Sequence, residues 1–172
     1  STQDLSTEGL LKAGFTGTVT GSGSSIDVNK THSFEPDQQF FRTDVVLKNT
    51  GSGTVDDVVF MRSFDPDNTV YKGGSYTTIN TVQKTIGNDG VSLVNAISQP
   101  GDNYNRLTGQ QANIFFYSDE GSSSVYSGGF KNTNPYSFLS GSNTLQGYTQ
   151  TADKAIGITF DLGSINAGEE TG

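Results

Sequence analysis

Cysteine is absent from this 172-residue chain, histidine and methionine occur once each, and proline appears only four times. Without cysteine there is no disulfide framework, no thiolate metal site and no cysteine nucleophile. The one histidine, His32, rules out a histidine-rich zinc site. It sits in the polar stretch Lys30-Thr31-His32-Ser33, reads as a surface residue, and has no Gly-x-Ser-x-Gly elbow to serve. Positive charge is scarce: 10 Lys and Arg stand against 18 Asp and Glu, a formal net charge of −8. No basic stripe tracks phosphates, which excludes nucleic acid as a partner. An acidic surface also repels anionic membranes, and no run approaches the roughly 20 apolar residues of a spanning helix, so no direct membrane insertion is expected. Apolar residues are sparse at 31%, yet 11 Phe and 7 Tyr offer large buried areas, so residues 1–172 are expected to form one domain around a thin, aromatic core. Catalysis by paired carboxylates finds no support. Asp56-Asp57, Asp119-Glu120 and Glu169-Glu170 are sequence neighbours, and neighbours on a strand point to opposite faces. An enzyme is not expected.

Helical periodicity is nearly missing as well, and short β-rich runs bounded by Gly, Asn, Asp and Ser take its place. Strands are expected at 14–20, 40–48, 54–64, 75–85, 91–97, 112–117, 123–128 and 155–162, with one or two helical turns at 5–12. The predicted fold is all-β, a β-sandwich of two mainly antiparallel sheets with long calcium-binding loops. Residues 40–48 and 54–64 read as a hairpin closed by Asn49-Thr50-Gly51-Ser52-Gly53, with Phe41, Thr43, Val45 and Leu47 facing the core. The run Asn113-Ile114-Phe115-Phe116-Tyr117 is apolar on both sides and reads as a central strand, while Ile156, Ile158, Phe160 and Leu162 alternate as in a half-buried one. Two polar stretches, 98–111 and 131–152, are too long for simple turns and suit bound ions or ligand sites.

What the chain does have is oxygen ligands on turns. Ser63-Phe64-Asp65-Pro66-Asp67-Asn68 follows an apolar run, and two aspartates spaced i, i+2 across a proline can face one hard cation. Local turn bonding is the competing reading. After the Gly73-Gly74 turn Asn80 can return toward the same strand end, and Asp153, just before the last long strand, can complete an ion site. The predicted structural calcium ligands are therefore Asp65, Asp67, Asn68, Asn80 and Asp153. A second group, Asp102, Asn103, Tyr104 and Arg106, mixes oxygen donors, an aromatic and a guanidinium, which suits a ligand carrying a carboxylate. Ser118 and Asp119 end the aromatic run and are assigned to the same pocket, with Asp102 and Asp119 as further calcium ligands. Tyr126, Tyr136 and Tyr148 stand in Gly/Ser/Asn-rich surroundings typical of adaptable recognition surfaces.

Taken in order, three stretches and the closing strand resemble the calcium-dependent peptide-binding domains near the distal end of large bacterial RTX adhesins. They are Phe40-Phe41-Arg42-Thr43-Asp44-Val45-Val46-Leu47-Lys48-Asn49-Thr50-Gly51, Val59-Phe60-Met61-Arg62-Ser63-Phe64-Asp65-Pro66-Asp67-Asn68, Tyr76-Thr77-Thr78-Ile79-Asn80-Thr81-Val82, and the segment from Asp153 to Glu169. The resemblance spans most of the chain. It implies a monomeric, extracellular module, excised from a much longer surface protein, that uses Ca2+ to capture the C-terminal peptide of a protein on a host or neighbouring microbial cell and so mediates attachment. A calcium-dependent carbohydrate-binding module, with glycans as partners, and a structural spacer domain are the competing expectations.

Overall fold

The computed structural model describes residues 1–105 and 109–172. The first half of the chain carries β1 (Thr2–Asp4), β2 (Leu11–Gly21), β3 (Ser24–Phe34), β4 (Arg42–Asn49), β5 (Val55–Phe64), β6 (Thr78–Lys84), the four-residue helix α1 (Ile86–Asp89) and β7 (Ser92–Ser98). Then follow β8 (Asn103–Asn105), β9 (Gln110–Gln111), β10 (Asn113–Ser118), β11 (Ser123–Gly128), β12 (Thr149–Ala152), β13 (Ala155–Ile165) and β14 (Glu170–Thr171). The protein is all-β with antiparallel sheets, as the pattern of short strand-like runs predicts. The chain divides into two compact units, residues 1–58 with 162–172, and residues 59–161.

In the first unit the sheet runs β1-β2-β3-β4-β14. Ser22 and Gly23, both at positive φ (48° and 82°), form the two-residue turn that joins β2 to β3 and matches the twist of the strands. Residues 5–12 are not helical. Leu5 N–H donates to the Lys12 carbonyl and Thr7 bridges Leu10, with Gly9 at φ 77° making a turn that an α-helix does not accept. The expected hairpin of 40–48 with 54–64 is also absent. Both edges of β4 are taken, by β3 and by β14, and β5 instead joins a sheet of order β11-β13-β5. Asn49 explains the change of direction. It is fully buried, and its amide donates to the Gly53 carbonyl (2.7 Å) and the Ile165 carbonyl (2.8 Å) while its oxygen accepts from Gly51 N–H (2.9 Å). One side chain thereby satisfies three backbone groups, of which the Ile165 carbonyl is buried. Of the four residues expected inward on β4, Leu47 is buried, Thr43 and Val45 are half-buried, and Phe41 is exposed.

The second unit is the sandwich. A sheet of order β10-β7-β6-β12 packs on β11 and β13 through Val82, Val94, Ala96, Val125, Ile156 and Ile158, with Ile114, Phe116, Tyr148 and Phe160 around them. The cluster between the sheets is aliphatic at its centre, and the aromatic share of the core expected from composition comes from the buried Tyr126 and Phe138 and from the rings packed around that cluster. β13 is buried on both faces over its first five residues: Ile156 and Ile158 enter the inter-sheet cluster, and its far face is covered as well. On that far face Tyr126 lies across from Gly157 and stacks on Phe138 (centroids 3.6 Å apart, planes 4° apart). Its hydroxyl bonds Ser63, and burial pushes its pKa up to about 12. β10, read from the sequence as central, is an edge strand. Ile114 and Phe116 point into the core, while Phe115 and Tyr117 stand in solvent. The stretch 131–152 holds two 3-10 turns, Pro135–Phe138 and Ser142–Thr144, and β12.

Candidate metal centre

The turn at the end of β5 is built to be rigid. Pro66 is buried, Asn68 donates its side-chain amide to the Ala96 carbonyl (3.0 Å), and Thr69 is buried under Gly74. A Cβ at Gly74 would collide with the Thr69 side chain, so close approach requires glycine there. Asp67 N–H donates back to the Asp65 carbonyl (3.1 Å), which holds both carboxylates on one side of the proline. Asp153 arrives from the far end of the chain because β12 pairs with β6, Ala152 opposite Thr78, and ends one residue before it.

Carboxylate oxygens of Asp65, Asp67 and Asp153 lie within 4.8 Å of one another, and among the described residues this is the one group of three or more acidic or histidine side chains so disposed. The group can hold a metal ion. Asp65 and Asp153 are exposed, whereas Oδ1 of Asp67 is shut off from solvent with no hydrogen-bond partner. A buried carboxylate oxygen without a donor is costly, and a cation is what would satisfy it. Partial burial, then the charges of Asp67 and Asp153, hold the Asp65 carboxyl above its ordinary pKa. The sign is that of a raised acid: the ion-free protein is favoured by protonation of Asp65 below 3.8, and that contribution disappears as pH climbs through the raised value. A bound cation replaces the proton. Calorimetric titration should therefore show metal-ion affinity falling as the pH is lowered through the Asp65 carboxyl's raised range, and an affinity independent of pH down into the ordinary carboxylate range would remove Asp65 from the coordination shell.

The other predicted ligands are placed differently. Asn68 anchors the turn from below through Ala96, as above. Asn80 is buried in β6, where its oxygen accepts from Thr78 Oγ1 (3.0 Å) and its NH2 reaches the Ala152 carbonyl (3.4 Å), so it braces the β6–β12 pair that delivers Asp153. Asp102 accepts from Ser75 N–H through Oδ2 (2.9 Å) and closes the loop leading into β6. Ser118 is buried and accepts from Glu120 N–H (3.0 Å), and Asp119 is exposed on the turn after it. The structure does not bring these last groups together. Register sets Ser118 beside Ser92 at the start of β7, while Asp102 follows the end of β7 at Ser98, six residues or about 20 Å along the strand. Asn103 and Tyr104 contribute backbone to β8, and their side chains, like Arg106 as a whole, lie outside the described residues. His32 is half-buried, its Nδ1 2.8 Å from Thr43 Oγ1 and its ring edge-on to Phe41. Of the three tyrosines, Tyr126 belongs to the interior, Tyr148 packs against the core, and Tyr136 is exposed.

Comparison with family models, with characterised proteins and with solved structures finds no match to this chain.

Proposed function

We propose that the protein is a calcium-dependent binding module of a bacterial surface adhesin, with its ion at Asp65, Asp67 and Asp153. The observation that carries the reading is the buried, unpartnered Oδ1 of Asp67 inside a three-carboxylate cluster. Calcium suits the ligand type: carboxylate oxygens are hard donors, and calcium accepts six to eight such oxygens in a flexible geometry, whereas magnesium demands a near-ideal octahedron and keeps several of its waters. Three carboxylates fill only part of a shell that takes six to eight oxygens, and the exposure of Asp65 and Asp153 leaves the ion a side toward solvent. The carboxylate at the C-terminal end of a partner peptide is the ligand that such a side accepts, and the adhesin family that the sequence resembles uses calcium in this way. The location is then extracellular, at the bacterial surface, and the process served is attachment.

The test is capture of short peptides with free or amidated C-termini, in calcium and in excess chelator. A charge-assisted contact of about 1.5–3 kcal/mol should make free-ended peptides bind roughly 10- to 100-fold more tightly than amidated ones, and only with calcium present. Equal capture of the two peptide classes, or capture that survives chelation, would overturn the reading.

A further inference from the structure

The outward face of the sheet β10-β7-β6-β12 carries two aromatic rings that the core does not need. Phe115 and Tyr117 are 47% and 55% exposed, two residues apart on an edge strand, and so stand about 7 Å apart on one flat surface. Beside them runs a line of amides fixed by hydrogen bonds. Gln83 Nε2 donates to Asn95 Oδ1 (3.0 Å), and Asn95 Nδ2 donates to Asn113 Oδ1 (3.2 Å). Asn95 sits directly opposite Phe115 in the β7–β10 register. An amide has two acceptor sites and two donors, so this line ends in the Asn113 NH2 at one side and the Gln83 carbonyl at the other.

Charge decides what fits. The chain carries −8 overall, yet the outward positions of these four strands hold no carboxylate, and the nearby charges sit at strand ends: Lys84 beside the bulge in β6, and Asp119 and Asp153 directly after β10 and β12. A polyanion meets the field of the whole protein, and a cationic peptide finds no counter-charge on this face. A purely apolar partner would cover the amide line and strand its two ends. A neutral carbohydrate satisfies all of it: C–H faces of the sugar rings lie on Phe115 and Tyr117, and hydroxyls, each donor and acceptor, meet Asn113 and Gln83. We infer that this face is a binding surface for a neutral glycan chain, one that uses no metal ion and is separate from the carboxylate cluster.

Affinity electrophoresis of the full 172-residue chain through native gels cast with mixed-linkage β-glucan, glucomannan, xylan or dextran, each run with calcium and with chelator, tests it. At least one polysaccharide should retard the protein. The Phe115→Ala/Tyr117→Ala double variant should lose at least tenfold of that affinity with an unchanged melting temperature, and Tyr117→Phe, which keeps the ring, should retain it. Failure of every polysaccharide to retard the wild type would overturn the inference, as would equal retardation of the double variant or retardation that vanishes in chelator. So would sedimentation showing that the two rings instead hold a dimer of this chain. Chelator separates the two sites, because the peptide reading fails or stands on calcium and this one on the rings.

Discussion

Replacing Gly157 by alanine should lower the melting temperature of the 172-residue chain by roughly 6–12 °C, corresponding to about 3 kcal/mol of overpacking. The added Cβ would fall within the Tyr126 ring, at its Cζ, Oη and Cε1 atoms, closer than any real side-chain contact. The ring has nowhere to retreat. Its opposite side is stacked on Phe138 at 3.6 Å, and its hydroxyl is tied to Ser63. Relief requires sliding the ring off Phe138, moving β13 away from β11, or both, and each loses packing in an interior with little free volume. Gly129→Ala is the control, since that glycine is exposed, has ordinary φ and a Cβ there meets nothing within 4 Å; its change should stay within about 0.5 kcal/mol. Scanning calorimetry of the two variants compares them directly, and equal melting temperatures would mean that the Tyr126–Gly157 contact carries no stability.

Asp67→Asn should act with opposite signs in calcium and in chelator. In saturating calcium, at 100 to 1,000 times the dissociation constant, the wild type gains about 2.7–4.1 kcal/mol from the bound ion, and the variant should lose most of that with the best-buried ligand. In chelator the same change removes one of three carboxylates crowded within 4.8 Å, a repulsion on the order of 1 kcal/mol per pair in a water-like medium, so the variant should be the more stable protein. A purely structural turn role for Asp67 predicts loss in both conditions. Thermal melts of wild type and variant with and without calcium distinguish the cases, and destabilisation by the same amount in both would dismiss the metal centre.

Much of this was legible in the residues, for definable reasons. Asp65 and Asp67 announce themselves because a proline between two aspartates in a turn after an apolar run is a local pattern, and Asp153 because it stands before the last long strand. That Asp102 and Asp119 belong to different ends of β7 is a matter of register, which no local pattern encodes. The polar strand β3 escaped notice since Ser24–Phe34 has too few apolar residues to show a period of two; its pairing with β2 and β4, not its composition, makes it a strand. Asn113–Ser118 misled in the other direction. Apolar side chains on both faces mark a strand covered twice, and here one of the two covers is missing, so the same letters that suggested a central strand became an exposed aromatic surface. Loop 49–53 resembled a hairpin turn by its glycines, whereas the buried amide of Asn49 hands the chain to Ile165, over a hundred residues away.

That last contact governs the order in which the protein can be completed during synthesis. The 59–161 unit has all its residues once Asp161 has been made. The unit that begins the chain must wait longer, because β14 at Glu170–Thr171 pairs with β4, and Asn49 takes the Ile165 carbonyl through its side chain and the Glu169 carbonyl through its own N–H. Until residues 162–172 emerge from the ribosome, β4 presents an open edge and a buried-to-be amide to the surrounding water. Residues 1–58 are made before the segment that completes their unit, and the nascent chain is most exposed to wrong strand pairing during that interval.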